Sequence, residues 1–205
     1  MKLFNKILVV LTLCTALHPA AQAQPDTTQA LYNSLIEQYD EYINSEPFVA
    51  LEFAAQAKQI AEQSLDSAYI ASAYKLIGNG YYKTRVYYLA IEAQFKAYDI
   101  YAKLQQNDKM ALCQIDIART YYAQEAYDLA EEYCSQAIDI CRNYKYPNIQ
   151  ASALTLLGDI TIKNDEDDAL KNLIAARTLY QDLGVTDKIL ETNIKIAQAY
   201  AIVNE

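Results

Sequence analysis

Residues 77–84 read IGNGYYKT, two glycines one residue apart ahead of a lysine and a threonine, in a chain of 205 residues with only four glycines. The stretch reads either as a phosphate-cradling loop or as the interior of a helix. A phosphate loop needs a preceding strand and an open glycine-rich turn whose amides point at the anion. Here the surrounding residues are Tyr74, Ile77, Gly78 and Tyr81, then Leu89, Ala90, Ala93 and Ala97, small or apolar at the three- and four-residue intervals of a helical face. Nucleotide binding is therefore excluded, and Gly78 is expected at a helix crossing. Gly80 is harder to place, because a helix interior disfavours glycine by about 1 kcal/mol relative to alanine. The backbone of a partner, or a tightly packed ring from a neighbouring tyrosine, is its expected reason.

The same frame recurs along the chain. Ala50 and Ala57, Ala90 and Ala97, Ala130 and Ala137, and Ala169 and Ala176 are four pairs seven apart, with steps of 40, 40 and 39 between copies. Ahead of the last three pairs stand Ile77-Gly78 with Tyr81, Ile117-Ala118 with Tyr121, and Leu157-Gly158 with Thr161; a last partial copy is Ile196-Ala197 with Tyr200. Such a period marks a stack of supersecondary units, none of which buries its apolar face alone. Helix-start chemistry falls between copies: Ser45 before Pro47, Asp66 before Tyr69, Asn107, Pro147, Asn164 or Asp165, and Thr186 after Gly184. The expected helices are 28–43, 47–63, 67–83, 86–104, 108–123, 126–143, 147–163, 166–182 and 187–203. The spacing thus predicts an all-α chain of antiparallel helix pairs, with Gly or Ala where two backbones cross closely.

This frame resembles the tetratricopeptide repeat (TPR), in its longer-helix variety of about 40 residues, over nearly all of residues 24–205. Tyr74, Ile77, Gly78, Tyr81, Ala90 and Ala97 match the family pattern most fully. The next copy has Gln114 for the early aromatic; the third has Thr161 for tyrosine and is one residue short before Ala169. The resemblance implies a right-handed α-solenoid of about four and a half units whose first helices line a groove for a peptide. Carried over by position, the groove candidates are Lys75, Asn79, Tyr82, Ile115, Arg119, Tyr122, Thr155 and Asp159. Lys75 and Asn79 match the first two members of the family's carboxylate clamp, but Asp116, Ser152 and Leu156 stand where Asn, Lys and Arg belong, which argues against a chaperone-tail receptor.

The N-terminus has a separate grammar. Lys2 and Lys6 precede the apolar run Ile7–Leu17, followed by Ala21-Gln22-Ala23, as in a secretory signal peptide cut after Ala23. An uncleaved anchor is opposed by the shortness of the run, and lipid attachment at Cys14 by Leu13. Losing Lys2 and Lys6 takes the net charge from −9 to −11, which repels nucleic acid and anionic membrane surfaces. Membrane contact is expected only through the signal or a partner. The only histidine is His18, inside the signal, and no CxxC spacing occurs, so neither a metal nor a cofactor is expected. Of the cysteines left, Cys134 and Cys141 share one helix, whereas Cys113 and Cys141 lie on antiparallel partners; a Cys113–Cys141 disulfide and a set of buried thiols are the two alternatives. The acidic run 165–168 reads as helix capping rather than a calcium loop.

No nucleophile motif or convergent carboxylate pair is visible, so the chain reads as non-catalytic. The function expected is a protein- or peptide-binding scaffold, periplasmic or otherwise associated with the cell envelope. The alternative is the extracytoplasmic sensor portion of a signalling protein, continuing past Glu205 into a transmembrane segment; self-assembly through the end faces is a third reading.

Overall fold

The computed structural model describes residues 25–162 and 166–203, which form nine helices and no strand. They are α1 Pro25–Tyr42, α2 Pro47–Ser64, α3 Ser67–Lys83, α4 Tyr87–Lys103, α5 Asn107–Ala123, α6 Tyr127–Tyr144, α7 Pro147–Thr161, α8 Glu166–Asp182 and α9 Thr186–Val203. The signal segment with its cleavage point and Cys14, and the helix-start residues Asn164 and Asp165, lie outside the described residues. No described helix is long and apolar enough to cross a membrane.

Asp66 caps α3 as expected, its carboxylate accepting from the amides of Ala68 at 2.8 Å and Tyr69 at 3.3 Å. Pro47 and Pro147 open α2 and α7, where the missing N–H costs nothing. Asn107 and Thr186 are the first residues of their helices rather than caps.

The turns repeat twice as often as the sequence frame. Leu65, Arg85, Gln105, Glu125 and Lys145, at steps of 20, all have φ between 56° and 61°, and Gly184 has φ 69°. From Arg85 onward each is followed by an amide that reaches back over the turn, as from Val86 to Tyr81 O (2.9 Å) and from Ala126 to Tyr121 O (3.0 Å), the bonding of a Schellman cap. Turns within pairs and between pairs therefore share one geometry, and the 40-residue unit is two 20-residue halves. Of these left-handed positions only Gly184 is glycine, and the others carry a steric cost of about 1 kcal/mol each.

Each helix packs on its chain neighbours, and the first helices α3 and α5, and α5 and α7, also touch one another. The first helices therefore line the inside of the curve. The solenoid core runs the length of the array, built from the paired alanines (Ala50, Ala57, Ala90, Ala97, Ala130, Ala137, Ala169 and Ala176, all 0% exposed) with Tyr32, Leu35, Ile117 and Leu173 between them. The tyrosine contacts serve packing: Tyr121 stacks on Tyr133, and the ammonium groups of Lys58 and Lys96 lie 5.3 and 5.6 Å from the centre of the Tyr74 ring.

Gly78, Gly80 and Gly158 sit against side chains of this core. A Cβ at Gly78 would lie 2.8 Å from Gln94 Cγ and 3.3 Å from the Ala90 carbonyl, so Gly78 is a helix-crossing residue. At Gly80 the occupant is Leu51 of α2, whose Cδ2 would come within 2.6 Å of an added Cβ. Gly80 thus serves the contact between consecutive pairs; neither a tyrosine ring nor a partner backbone is needed to explain it. Gly80→Ala is expected to destabilise the chain by about 1 kcal/mol, overpacking outweighing the gain in helix propensity. In a Leu51→Ala background the same change should stabilise by about 1 kcal/mol, because only the propensity gain remains. A double-mutant cycle by urea denaturation checks both signs.

Candidate functional site

The groove candidates do not behave alike. Ile115 is 2% exposed, packed among Ala118, Ala130, Leu154 and Ala151, so it belongs to the core and no ligand reaches it. The inner-face assignment failed there because the packing of α5 against both α6 and α7 turns that position inward. Tyr82 and Tyr122 are half-buried and lie beside Tyr87 and Tyr127, which start the following helices. Lys75, Asn79, Thr155 and Asp159 are half-buried, and Arg119 is exposed.

Charge pairs organise the inner face. Arg119 Nη1 donates to Asp116 Oδ1 at 2.9 Å, and Lys75 Nζ lies 3.7 Å from Asp116 Oδ2. No hydrogen bond reaches Oδ2, although it is buried. One helix pair further on, Lys195 Nζ donates to both oxygens of Asp159, at 2.8 and 2.6 Å. Lys75–Asp116 ties α3 to α5, and Asp159–Lys195 ties α7 to α9. Burial pushes the Asp159 carboxyl above its ordinary range, and the Lys195 ammonium opposes that shift. Lys195→Met is therefore expected to move the Asp159 titration midpoint further up. Carboxyl-carbon NMR against pH reads this directly, and an unchanged or lower midpoint would contradict it.

Beside the second pair lies a cavity of about 180 Å³. Arg119 of α5, Thr155 and Asp159 of α7, Tyr180 of α8, and Lys188 and Lys195 of α9 line it, together with Glu191 and Ser152. Three cations face two carboxylates there, in a chain whose overall charge is −9. Tyr180 Oη and Ser152 Oγ share a hydrogen bond of 3.0 Å at its wall. Arg119, Thr155 and Asp159, three of the groove candidates, thus line one cavity. Lys75, Asn79, Tyr82 and Tyr122 lie outside the cavity. Tyr180, Lys188 and Lys195 were missed by sequence reasoning; carrying the Ile196-Ala197 frame onto α9 as a further inner helix is the signal that points toward the two lysines.

Cys113, Cys134 and Cys141 are free, buried thiols, so the Cys113–Cys141 disulfide is not formed. Cys113 packs backward on Ala71, Ala97 and Tyr101, away from α6. Burial pushes the thiols up to about 12 for Cys113 and Cys134 and about 11 for Cys141, which holds them protonated and unreactive. In the acidic run, Asp168 accepts from Lys171 and Asn172 near the start of α8.

The architecture is that of a TPR-like helical repeat array. No family model and no curated protein matches the sequence. Among solved structures the chain is similar to the apo form of RapI, with a TM-score of 0.74 and 15% identity over 85% of this chain and 64% of that one. It is similar also to the kinesin light chain TPR-like repeats of Podosopora anserina (0.67, 16% identity, 88% of each chain). A third is the Rap conjugation gene regulator of plasmid pLS20 in complex with the Phr* peptide (0.65, 18% identity, 91% of this chain and 56% of that one). The chain thus spans less than two thirds of the length of the two Rap proteins, and at these identities the likeness establishes the fold.

Proposed function

We propose that the chain is a non-catalytic scaffold that binds a protein or peptide segment along its inner face, with the α5–α7–α9 cavity as the anchoring pocket. The observation that carries this reading is the convergence of Arg119, Thr155, Asp159, Lys188 and Lys195 from three successive first helices on one polar cavity. A rigid stack presents such a pocket without ordering itself on binding, so the partner alone loses conformational entropy. The Rap regulator solved with Phr* peptide is a protein of the same fold with a bound peptide, which supports the choice of ligand class. The acidic balance of the chain argues against nucleic acid as a partner.

The setting proposed is the periplasm or cell envelope, reached through the N-terminal segment with its two lysines and apolar run. N-terminal sequencing of the chain recovered from a bacterial envelope fraction should begin at Gln24; a cytosolic product retaining Met1 would overturn the assignment.

Binding is tested by selecting peptides from a random displayed library on the mature chain and measuring their affinities by calorimetry. Arg119→Ala with Lys188→Ala should weaken the selected peptides at least about tenfold, which corresponds to 1.4 kcal/mol. Glu131→Ala, on the outer helix α6, should leave them unchanged. Recovery of no peptide, or equal affinity for the double variant, would contradict the proposal.

A further inference from the structure

The cavity between α5, α7 and α9 holds two cations that repel one another. Arg119 reaches it from α5 and Lys188 from α9. The Glu191 carboxylate holds the Lys188 ammonium above its ordinary range, while burial and the Arg119 charge oppose that shift. Each cation has donors left over. Among the described residues Arg119 engages only Nη1, on Asp116 Oδ1 at 2.9 Å, and Lys188 engages Glu191 Oε2 at 2.7 Å. A guanidinium has five N–H donors and an ammonium three, so an incoming acceptor can share both groups with Asp116 and Glu191. Lys195 differs, because its Nζ donates to both oxygens of Asp159 and is spent on its own pair.

The rest of the wall has the opposite polarity. Thr155 Oγ1 spends its proton on Ala151 O at 2.9 Å, Ser152 and Tyr180 share one between their hydroxyls, and Glu191 has a second carboxylate oxygen beside the one that Lys188 occupies. A group seated here therefore needs an acceptor toward Arg119 and Lys188, with N–H donors close beside it. Charge sets how much negative charge that acceptor carries. The ion pairs in and beside the cavity set Lys75, Arg119, Lys188 and Lys195 against Asp116, Asp159 and Glu191, a surplus of one positive charge. A carboxylate cancels that surplus, whereas a phosphate, at about −1.5 to −2, overshoots it.

We propose that the group anchored in this cavity is the side-chain carboxylate of an aspartate or glutamate within the partner segment, held between the Arg119 guanidinium and the Lys188 ammonium. This rests on the reading of the inner face as a peptide-binding surface and names what that surface selects. An anion between two like charges relieves their repulsion as well as meeting each of them. Arg119 supplies direction, since a guanidinium meets a carboxylate through two parallel N–H bonds, and Lys188 supplies a second charge from the opposite wall. A residue inside a segment also brings backbone N–H groups from both sides to the lone pairs of Thr155 and Glu191, where a chain end brings them from one side only.

Peptides selected from a random library on the mature chain, synthesised with amidated C-termini, should share an aspartate or glutamate at one aligned position. Replacing it by asparagine or glutamine should weaken binding to the parent chain at least about tenfold by calorimetry. On Arg119→Ala with Lys188→Ala the same replacement should change affinity less than about twofold, because the carboxylate has lost its partners. Peptides that bind without an acidic residue, an asparagine or glutamine form that binds the parent as the acid does, or an equal loss on parent and double variant would each overturn the proposal and leave the scaffold reading standing. Binding that requires a free C-terminus would overturn it as well, by placing the carboxylate at the chain end. Recovery of no peptide would overturn both.

Discussion

Gly158→Leu is expected to lower the unfolding free energy by about 3 kcal/mol or more, at the upper end of what overpacking a core costs. An added Cβ would already sit 2.6 Å from Leu173 Cγ and 3.3 Å from the Ala169 carbonyl. The first of these is a branch point and the second is backbone, so neither moves without shifting α8. Leu173 is 0% exposed, enclosed on all sides by its neighbours. The chain contains its own compensated version of this site: one repeat earlier, Ala118 and Cys134 occupy the corresponding places in one cluster. Gly158→Ala should therefore destabilise on its own, and Leu173→Cys added to it should recover most of the loss. Urea denaturation of the three variants measures this, and full stability of Gly158→Leu would show that the crossing is looser than its geometry indicates.

Thr120→Val carries the second large effect, a loss of about 1–3 kcal/mol, because it orphans a buried acceptor. Thr120, 0% exposed, shares its single hydroxyl proton between two acceptors, Gln94 Oε1 at 3.1 Å and Asp116 O of its own helix at 2.8 Å. Gln94 is 1% exposed, and its stem fills the space left by Gly78, so its amide has no route to water. One buried polar contact thereby links α3, α4 and α5 at the middle of the array. Valine matches threonine in shape, so the destabilisation reads the hydrogen bond rather than a cavity. Thr120→Ser keeps the hydroxyl and should retain more stability than Thr120→Val.

The helix pairs were legible because Gly and Ala recur where backbones cross, and a crossing tolerates little else. The boundaries followed from the same frame: 67–83 was expected and Ser67–Lys83 forms; 28–43 was expected and the helix begins earlier, at Pro25. The 20-residue half-period was not legible, since the left-handed turn positions carry Leu65, Arg85, Gln105, Glu125 and Lys145 and give no glycine signal. Gly80 was seen as an anomaly but not explained, because its partner Leu51 belongs to the preceding pair and the repeat frame relates copies rather than contacts. At the groove, three positions carried over from the frame, Arg119, Thr155 and Asp159, line one cavity, whereas Ile115 is buried, because its exposure depends on how closely α5 and α7 approach. Lys188 and Lys195 join that cavity from α9, where the Ile196-Ala197 copy was read only as a partial repeat and its inner-face positions were not carried over.

The paired charges of the inner face bear on how a partner would be held. Arg119 is shared between Asp116 and the cavity, and Lys195 is committed to Asp159, so a ligand exchanges existing contacts rather than meeting bare charges. Such exchange favours selectivity over raw affinity.

The central claim is that the inner face is the binding surface, and photo-cross-linking tests it most directly. A peptide selected on the mature chain, carrying a photoreactive residue, is irradiated in the complex and its attachment points are read by mass spectrometry. Attachment at or beside Arg119, Thr155, Asp159 and Lys188 is the predicted result. Attachment confined to the outer surface of α6, around Glu131, Asp139 and Arg142, would contradict it.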